Sequence, residues 1–244
     1  MKRTATVRPR ASRATAAGKP AATSRRASTA RQGKLAARAT AKKSAPEKVV
    51  RKARTTRAKS RPARPVSRAG RQLTSNLKWT EVLDDGTHVI VRPITARDAA
   101  LEREFIERLS PQSRRMRFLG QIARPGDDMI RRLTTLDYVR DMAFVALVHR
   151  DGKTQEIGVS RYSVSDDGRS CECAVTVSDE WRHRGLATLL MRHLIGFART
   201  KGIRSMISWD AFDNTEMRAL AAWLGFERRP DLRDAGMVIH RLAL

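Results

Sequence analysis

Runs of apolar residues separated by short polar turns predict a sheet in the C-terminal two thirds of the chain. Residues 141–150 (DMAFVALVHR) are almost continuously apolar, which is typical of a central strand. Turns through DGK and DDG separate this segment from strands predicted at residues 154–164 and 169–178. Because each connection is tight, we expect the three strands to form an antiparallel meander.

Four further segments have the composition of strands. Residues 79–83 and 87–94 flank an Asp-Asp-Gly turn, and this arrangement predicts a hairpin. Residues 203–210 and the C-terminal segment 235–244 are also rich in apolar and β-branched residues.

Helical spacing of apolar residues appears first after the hairpin. Thr95 is a candidate N-cap for a helix that carries Leu101 and Phe105 on one face. Pro111 stands where a second helix has its first residue, because its fixed φ suits that position. A third helical piece is predicted at residues 126–136.

The longest predicted helix covers residues 184–201, with Leu190 and Leu194 on its apolar stripe. A later helix begins in the segment DNTEMRALAAWLGF, where Asp213 and Glu216 have the spacing of a capping box. A strand, a long helix and another strand make a crossover unit, so the strands before and after the long helix should be parallel neighbours. We therefore predict one α/β domain on a mixed sheet, covering residues 78–244.

The first 70 residues differ from the rest of the chain in charge and in apolar content. They hold 22 Lys and Arg against a single acid, Glu47, which gives a net charge of +21 out of the chain's +25. They contain no aromatic residue and few large aliphatic residues, so they cannot bury enough apolar surface to offset the entropy of ordering. We predict a long disordered basic tail at residues 1–75.

More than one function fits this tail. A flexible polycation binds polyanions, so residues 1–70 predict nucleic-acid binding that is independent of base sequence and sensitive to salt, and with it nucleoid association. The alternatives are a solubilising segment, an extension from a misassigned start codon and an organelle transit peptide.

Membrane and metal functions find little support. No apolar run approaches the roughly 20 residues of a membrane-spanning helix, and none resembles a secretory signal, so we expect a cytoplasmic protein. Cys171 and Cys173 lie two apart in a predicted strand and point to one face, where they are at most half of a metal site. We expect two small apolar residues in a reducing compartment and no bound metal.

The turn before the long helix carries the candidate chemistry. Its sequence, SDEWRHRG, places two arginines and a histidine directly before Gly185. A helix that begins straight after a strand directs free N–H groups and the positive end of its dipole at one point, which favours a phosphate. The local alternative is a solvated turn that happens to be basic. Neither GxxxxGK[ST] nor GxGxxG is present, which excludes a Walker A loop and a Rossmann fingerprint.

The segment RHRGLA at residues 182–187 resembles the [RQ]-x-x-G-x-[GA] signature of the GNAT superfamily of acyl-CoA-dependent N-acetyltransferases. A second family feature is an Asn that opens a later helix ending in Leu-Gly-Phe, present here as Asn214 and residues 224–226. The resemblance covers residues 87–244 and is closest to the catalytic domain of Pat-type protein lysine acetyltransferases. The segments that carry it are VIVRPITARD, LSPQSRRMRFLG, EIGVSRYSV, CECAVTVSDEWRHRGLATLL and NTEMRALAAWLGF.

This resemblance implies a GNAT-like fold with a mixed, mostly antiparallel sheet flanked by helices. It also implies that strands 169–178 and 203–210 splay apart to admit the pantetheine arm of acetyl-CoA. The pyrophosphate of acetyl-CoA would then lie on the turn and on the start of the long helix. The implied phosphate-binding residues are Arg182, His183, Arg184, Gly185, Leu186, Ala187 and Thr188.

The resemblance also assigns the remaining roles. Glu172 matches the general base, and its apolar neighbours in the predicted strand should raise its pKa; the alternative is an edge-facing or ion-paired glutamate. Val175 and Val177 would pair with the pantetheine arm, and the N–H of Val175 would also donate to the oxyanion. Asn214 would bind the arm or act only as a helix cap.

One family position is changed. Many members carry a tyrosine general acid where this chain has Ala221, so the leaving thiolate would need no acid or would use water. The leading interpretation is an N-acetyltransferase acting on a protein lysine or on a small amine. The alternative is a nucleic-acid-tethered protein whose domain binds acyl-CoA without turnover. The presence of Glu172 and of an intact phosphate turn favours the enzyme.

Overall fold

The structure, a computed structural model, describes Gly70, Gln72 and residues 74–119 and 124–244. The disordered tail predicted at residues 1–75 lies almost wholly outside these residues, and so does its predicted contact with nucleic acid. No helix in the described part of the chain is both long and apolar enough to cross a membrane.

Eight strands form one sheet, in the order β1-β2-β3-β4-β5-β6-β8-β7. Neighbouring strands are antiparallel except β5 and β6, which are parallel. The strands are β1 (Trp79–Val82), β2 (His88–Pro93), β3 (Asp141–Arg150), β4 (Lys153–Val164), β5 (Ser170–Val177), β6 (Ser205–Ala211), β7 (Glu227–Pro230) and β8 (Met237–Ala243).

The α-helices whose bounds fall within residues 74–119 and 124–244 are α1 (Ala99–Arg108), α2 (Pro111–Phe118), α3 (Asp127–Thr134), α4 (Leu186–Thr200) and α5 (Thr215–Trp223). Thr95 precedes a short 3-10 turn, Ala96–Asp98, that leads into α1, so it caps this turn and not α1 itself. Ser110 caps α2, because its hydroxyl accepts a hydrogen bond from the N–H of Ser113. Pro111 is the first residue of the helix, as predicted.

The predicted meander β3-β4-β5 and the parallel pair β5-β6 are confirmed. Strand β7 is not predicted from the sequence because all four of its residues are exposed and no apolar alternation marks it.

The predicted capping box at the start of α5 is wrong. The cap is Asn214, whose side-chain oxygen accepts a hydrogen bond of 3.1 Å from the N–H of Met217. Asp213 instead forms an ion pair of 2.8 Å with Arg115 of α2, and Glu216 pairs with an arginine of the turn before α4. Both carboxylates are held by arginines that are distant in sequence, so neither is left to cap the helix.

Neighbouring side chains on β4 show that α1 and α4 cover opposite faces of the sheet. Arg161 forms an ion pair of 2.9 Å with Glu102 of α1, whereas the Ser160 hydroxyl donates to the carbonyl of Leu190 in α4. Side chains of successive strand residues point to opposite faces. The apolar stripe of α4, including Leu190 and Leu194, is fully buried, and each such leucine stabilises the fold by roughly 1.5–3 kcal/mol.

Strands β5 and β6 separate after a short paired stretch. Their pairing runs from Ser170 opposite Ser205 to Glu172 opposite Ile207. Beyond this point β5 remains paired with β4 as far as Val177, and β6 remains paired with β8. A gap therefore opens towards the C-terminal ends of the two parallel strands, as the resemblance implies.

Candidate active site

The backbone of β5 presents unpaired groups to this gap. The N–H of Ser178 donates to the carbonyl of Ile157 in β4, whereas the carbonyl of Arg169 accepts from the backbone that leads into β6. Backbone groups of successive strand residues point to opposite edges of the strand. Ser178 therefore shows that even-numbered residues face β4, and Arg169 shows that odd-numbered residues of β5 face β6. The N–H and C=O groups of Val175 and Val177 therefore face the gap, beyond the last residue that pairs with β6.

The gap belongs to a cleft of about 440 Å³. Its walls are the ends of β5 and β6, helix α2, the turn before α4, and the first residues of α4 and α5. A volume of this size is typical of small-molecule and cofactor sites.

The turn at the start of α4 depends on a glycine. Gly185 has a φ of +77°, in the left-handed region, and a Cβ placed on it would lie 2.8 Å from Oδ2 of Asp84. The first N–H groups of α4 have no partner within the helix, and three of the residues that carry them line the cleft: Leu186, Ala187 and Thr188. The predicted phosphate-binding residues of α4 therefore face the cleft together with Gly185.

The side chain of Arg184 is paired outside the cleft. Its guanidinium pairs with Asp85 in the β1–β2 turn at 2.7 Å and lies over the ring of Trp181. Arg184 is not among the residues that line the cleft. The pair with Asp85 compensates the charge of Arg184, and its contribution to phosphate binding stays a prediction.

Arg182 lines the cleft, but its charge is also compensated. Its guanidinium pairs with Glu216 of α5 at 2.9 Å and with Asp179 at 3.0 Å, and it donates to the hydroxyl of Ser113 in α2. Arg182 therefore connects three walls of the cleft. The neighbouring His183 also lines the cleft; its side chain is 83% exposed, and its Nε2 lies 3.9 Å from Oε1 of Glu216.

Glu172 lies at the apex of the gap, in the last residue pair that joins β5 to β6. Glu172 does not line the cleft itself, and the first residue of β5 that does is Ala174, two residues further along the strand. Burial raises the pKa of its carboxyl, and the positive charge of Arg117 acts in the opposite direction. Within the described residues Glu172 has no ion-pair partner, so the alternative of an ion-paired glutamate is not what the structure shows.

Asn214 acts as a helix cap and also borders the cleft. Its side-chain oxygen caps α5, and the residue also lines the cleft, where its amide N–H groups remain available to a ligand.

The structure contains no tyrosine positioned as a general acid in its described part. Ala221 is fully buried in α5. Tyr138 donates its hydroxyl to the carbonyl of Ile94, and Tyr162 packs against Phe197, so neither lines the cleft.

Sequence reasoning missed a buried carboxylate in the wall formed by β6. Asp210 lines the cleft and accepts a hydrogen bond of 2.7 Å from the hydroxyl of Ser208. His240 of β8 lies 4.0 Å away, and burial raises the pKa of Asp210. Alternation along the predicted strand would have paired Ser208 with Asp210 on one face, but not with His240.

Sequence reasoning also missed the wall formed by α2. Ser113, Met116 and Arg117 line the cleft from this helix. Their spacing of three and four residues places them on one helix face, a signal that is visible in the segment PQSRRMRF.

Two buried polar atoms test whether an acyl-CoA fits. The Thr176 hydroxyl and the Trp181 indole N–H are buried without a hydrogen-bond partner in the described part of the chain, and both residues line the cleft. Together with the open edge of β5, they are suited to the amide-rich pantetheine arm, and the start of α4 is suited to the pyrophosphate.

Comparison with known proteins agrees with this geometry. The profile of the acetyltransferase (GNAT) family matches residues 113–226. Acetyltransferase PA5475 of Pseudomonas aeruginosa is 49% identical over 166 residues, which cover 68% of this chain and 89% of that protein.

Solved structures show the same fold. The GNAT domain of PAT from S. lividans superposes with a TM-score of 0.63 at 27% identity, covering 68% of this chain and 97% of that domain. A GNAT-family acetyltransferase from Streptococcus pneumoniae superposes with a TM-score of 0.53, covering 64% of this chain and 99% of that one. At 14% identity the second comparison shows the fold alone.

The matching family profile and the curated relative both bear the name acetyltransferase, so the activity is the transfer of an acyl group to an amine. Neither supports the alternative of a binding protein without turnover. The predicted fold and the predicted enzyme class are confirmed, and the chain belongs to the GNAT family of acetyltransferases.

Proposed function

We propose that the protein transfers the acetyl group of acetyl-CoA to the ε-amine of a protein lysine. The observation that supports acetyl-CoA as the donor is the open edge of β5, which runs from the apex at Glu172 towards the start of α4, where the pyrophosphate would bind. The acceptor is supported by the resemblance to Pat-type lysine acetyltransferases and by the 27% identity to the GNAT domain of S. lividans PAT.

Two parts of the cleft would hold the donor: the start of α4 would bind its pyrophosphate, and the open edge of β5 would bind its pantetheine arm. The N–H groups at the start of α4, with His183 and Gly185, would bind the pyrophosphate. The open backbone of Val175 and Val177 would pair with the pantetheine arm, assisted by the amide of Asn214. Val177 lies five residue steps beyond Glu172 along β5, about 16 Å, so a donor bound at α4 reaches the base only in an extended form.

Acetyl transfer needs a deprotonated amine and a stabilised oxyanion. The carboxylate of Glu172 would accept the amine proton, directly or through a water molecule, because its raised pKa makes it a better base than an exposed glutamate. The N–H of Val175 would donate to the developing oxyanion. The thioester of the donor supplies the acetyl group and a thiolate that is stable enough to leave without a protein acid.

Release of CoA by the full-length protein tests the proposal. With acetyl-CoA and a lysine-containing peptide, we expect turnover that Glu172→Gln lowers by roughly 10²- to 10³-fold. The calorimetric Kd for acetyl-CoA should not change in this variant. Glu107→Gln, an exposed substitution in α1, is the matched control and should keep wild-type turnover.

The possible failures have separate meanings. If acetyl-CoA does not bind, the assignment of the cleft is wrong. If it binds but only small amines are acetylated, the lysine acceptor is wrong. If Glu172→Gln keeps full turnover, another group is the base.

The basic segment 1–70 lies outside the described residues, and its binding to nucleic acid stays a prediction from charge. The slope of log affinity against log salt concentration for duplex DNA measures it, because each neutralised phosphate contributes about −0.9 to that slope.

A further inference from the structure

One guanidinium in the cleft has no carboxylate partner. Arg117 of α2 lines the cleft, is half-buried and forms no ion pair with any described residue. The Cζ atom of its guanidinium lies 5.0 Å from the centre of the ring of the adjacent Phe118. Arg115, two residues earlier, pairs with Asp213 and does not line the cleft, whereas Arg117 lines the cleft with no such partner.

The position of Arg117 places it at the reactive end of the cleft. Ser113 lies one helical turn before it on the same face of α2 and contacts Asp179 and Arg182 beside the phosphate-binding turn. Arg117 therefore lies further from that turn, within the electrostatic reach of Glu172. The pyrophosphate of the donor would bind at the other end, so it cannot serve as the counterion of Arg117.

The surroundings leave the positive charge of Arg117 poorly compensated. Burial and the neighbouring charge of Arg161 lower the pKa of Arg117 to about 10, although Glu102, Glu172 and Asp210 act in the opposite direction. Arg161 is itself paired with Glu102. A partly buried charge of this kind is stabilised by a ligand that brings an anion.

A lone ammonium approaching Glu172 would be repelled by Arg117, whereas an amine that carries a nearby carboxylate would be attracted to both residues. The face of α2 that borders the cleft therefore favours an acidic acceptor.

We propose that Arg117 binds a carboxylate next to the reacting amine, so that the enzyme selects protein lysines flanked by aspartate or glutamate. This inference rests on the proposed function, because it assumes a lysine acceptor and Glu172 as the base. Arg117 would then determine specificity by a charge-assisted hydrogen bond to the acceptor and would leave donor binding unchanged.

Two peptides that differ only in having Glu or Gln on both sides of one lysine provide the test with the full-length protein. We expect kcat/KM for the Glu peptide to exceed that for the Gln peptide about tenfold, the size of one charge-assisted hydrogen bond. Arg117→Gln should abolish the preference, and Arg117→Glu should reverse it towards a peptide flanked by arginines. Arg132→Gln, an exposed arginine of α3 outside the cleft, should keep the tenfold preference.

The outcomes separate this inference from the proposed function. Equal turnover of the two peptides by the wild type overturns the role of Arg117 and leaves lysine acetylation in place. No turnover of either peptide overturns both. A loss of acetyl-CoA affinity in Arg117→Gln, measured by calorimetry on a variant whose circular dichroism is unchanged, would mean that Arg117 binds the donor, which also overturns the inference.

Discussion

Gly185 allows the sharpest test of the phosphate-binding turn, because Gly185→Ala changes one methyl group at a position where the structure leaves no room for it. The residue has a φ of +77°, and an alanine there loses about 1–2 kcal/mol from the left-handed backbone. Its Cβ would also lie 2.8 Å from Oδ2 of Asp84, and turning that side chain aside adds roughly 0.5–1.5 kcal/mol. We expect a total destabilisation of about 2–3 kcal/mol.

Urea unfolding and acetyl-CoA titration measure the two consequences of this substitution. The free energy of unfolding should fall by the stated amount, and affinity for acetyl-CoA should fall at least tenfold because the N–H groups of α4 follow directly after Gly185. In the double variant Asp84→Ala/Gly185→Ala, the contact with Asp84 is removed, so the part of the lost unfolding free energy that comes from this contact should be regained. The part that comes from the left-handed backbone should remain lost.

Gly196→Ala is the matched control for Gly185→Ala. Gly196 lies inside α4 with nothing within 4 Å of its Cβ position, so alanine should stabilise the helix by about 0.5–1 kcal/mol and leave donor binding unchanged. If Gly185→Ala unfolds at the wild-type urea concentration and binds acetyl-CoA with the wild-type Kd, the proposed geometry of the turn is refuted.

Two further predictions concern the chemistry at the apex. Burial raises the pKa of Glu172, and only its carboxylate form can act as a base. As the pH is lowered, kcat/KM should therefore begin to fall at a higher pH than the pKa of an exposed glutamate would give. Arg117→Gln removes a charge that lowers this pKa, so the acid limb of the profile should move to higher pH; an unmoved limb would contradict the electrostatic link. Ala221→Tyr should not supply a general acid, because Ala221 is fully buried and overpacking the core costs about 1–3 kcal/mol. We expect a lower Tm with no gain in kcat. A higher kcat in this variant would contradict the prediction.

The elements were predictable wherever the pattern of neighbouring residues determines them. The continuous apolar run of β3 and the tight turns of the meander depend on residues close in sequence. The same holds for the glycine before α4, whose role follows from a turn that joins a strand directly to a helix. The turn alone leaves open whether it binds a phosphate or is only a solvated basic turn, and the GNAT signature favours the phosphate site.

The partners of charged side chains were not predictable in the same way. Arg184 pairs with Asp85 across 99 residues of sequence, and Arg115 pairs with Asp213 across 98. Nothing in the local sequence distinguishes these arginines from Arg117, which has no such partner in the described part of the chain. Which arginine is free for a ligand is therefore a property of the tertiary structure.

The gap between β5 and β6 explains why the site forms at this place in the sheet. Each strand is held to its other neighbour along its length, β5 by β4 as far as Val177 and β6 by β8 as far as Ala211, so the two halves of the sheet separate after Glu172. The separation leaves the amides of Val175 and Val177 without strand partners. Each hydrogen bond that a ligand forms there contributes about 0.5–1.5 kcal/mol. Because the gap begins at Glu172, a ligand that pairs with this edge is also directed at the proposed base, so one break in strand pairing would provide both the binding and the alignment that the proposed acetyl transfer requires.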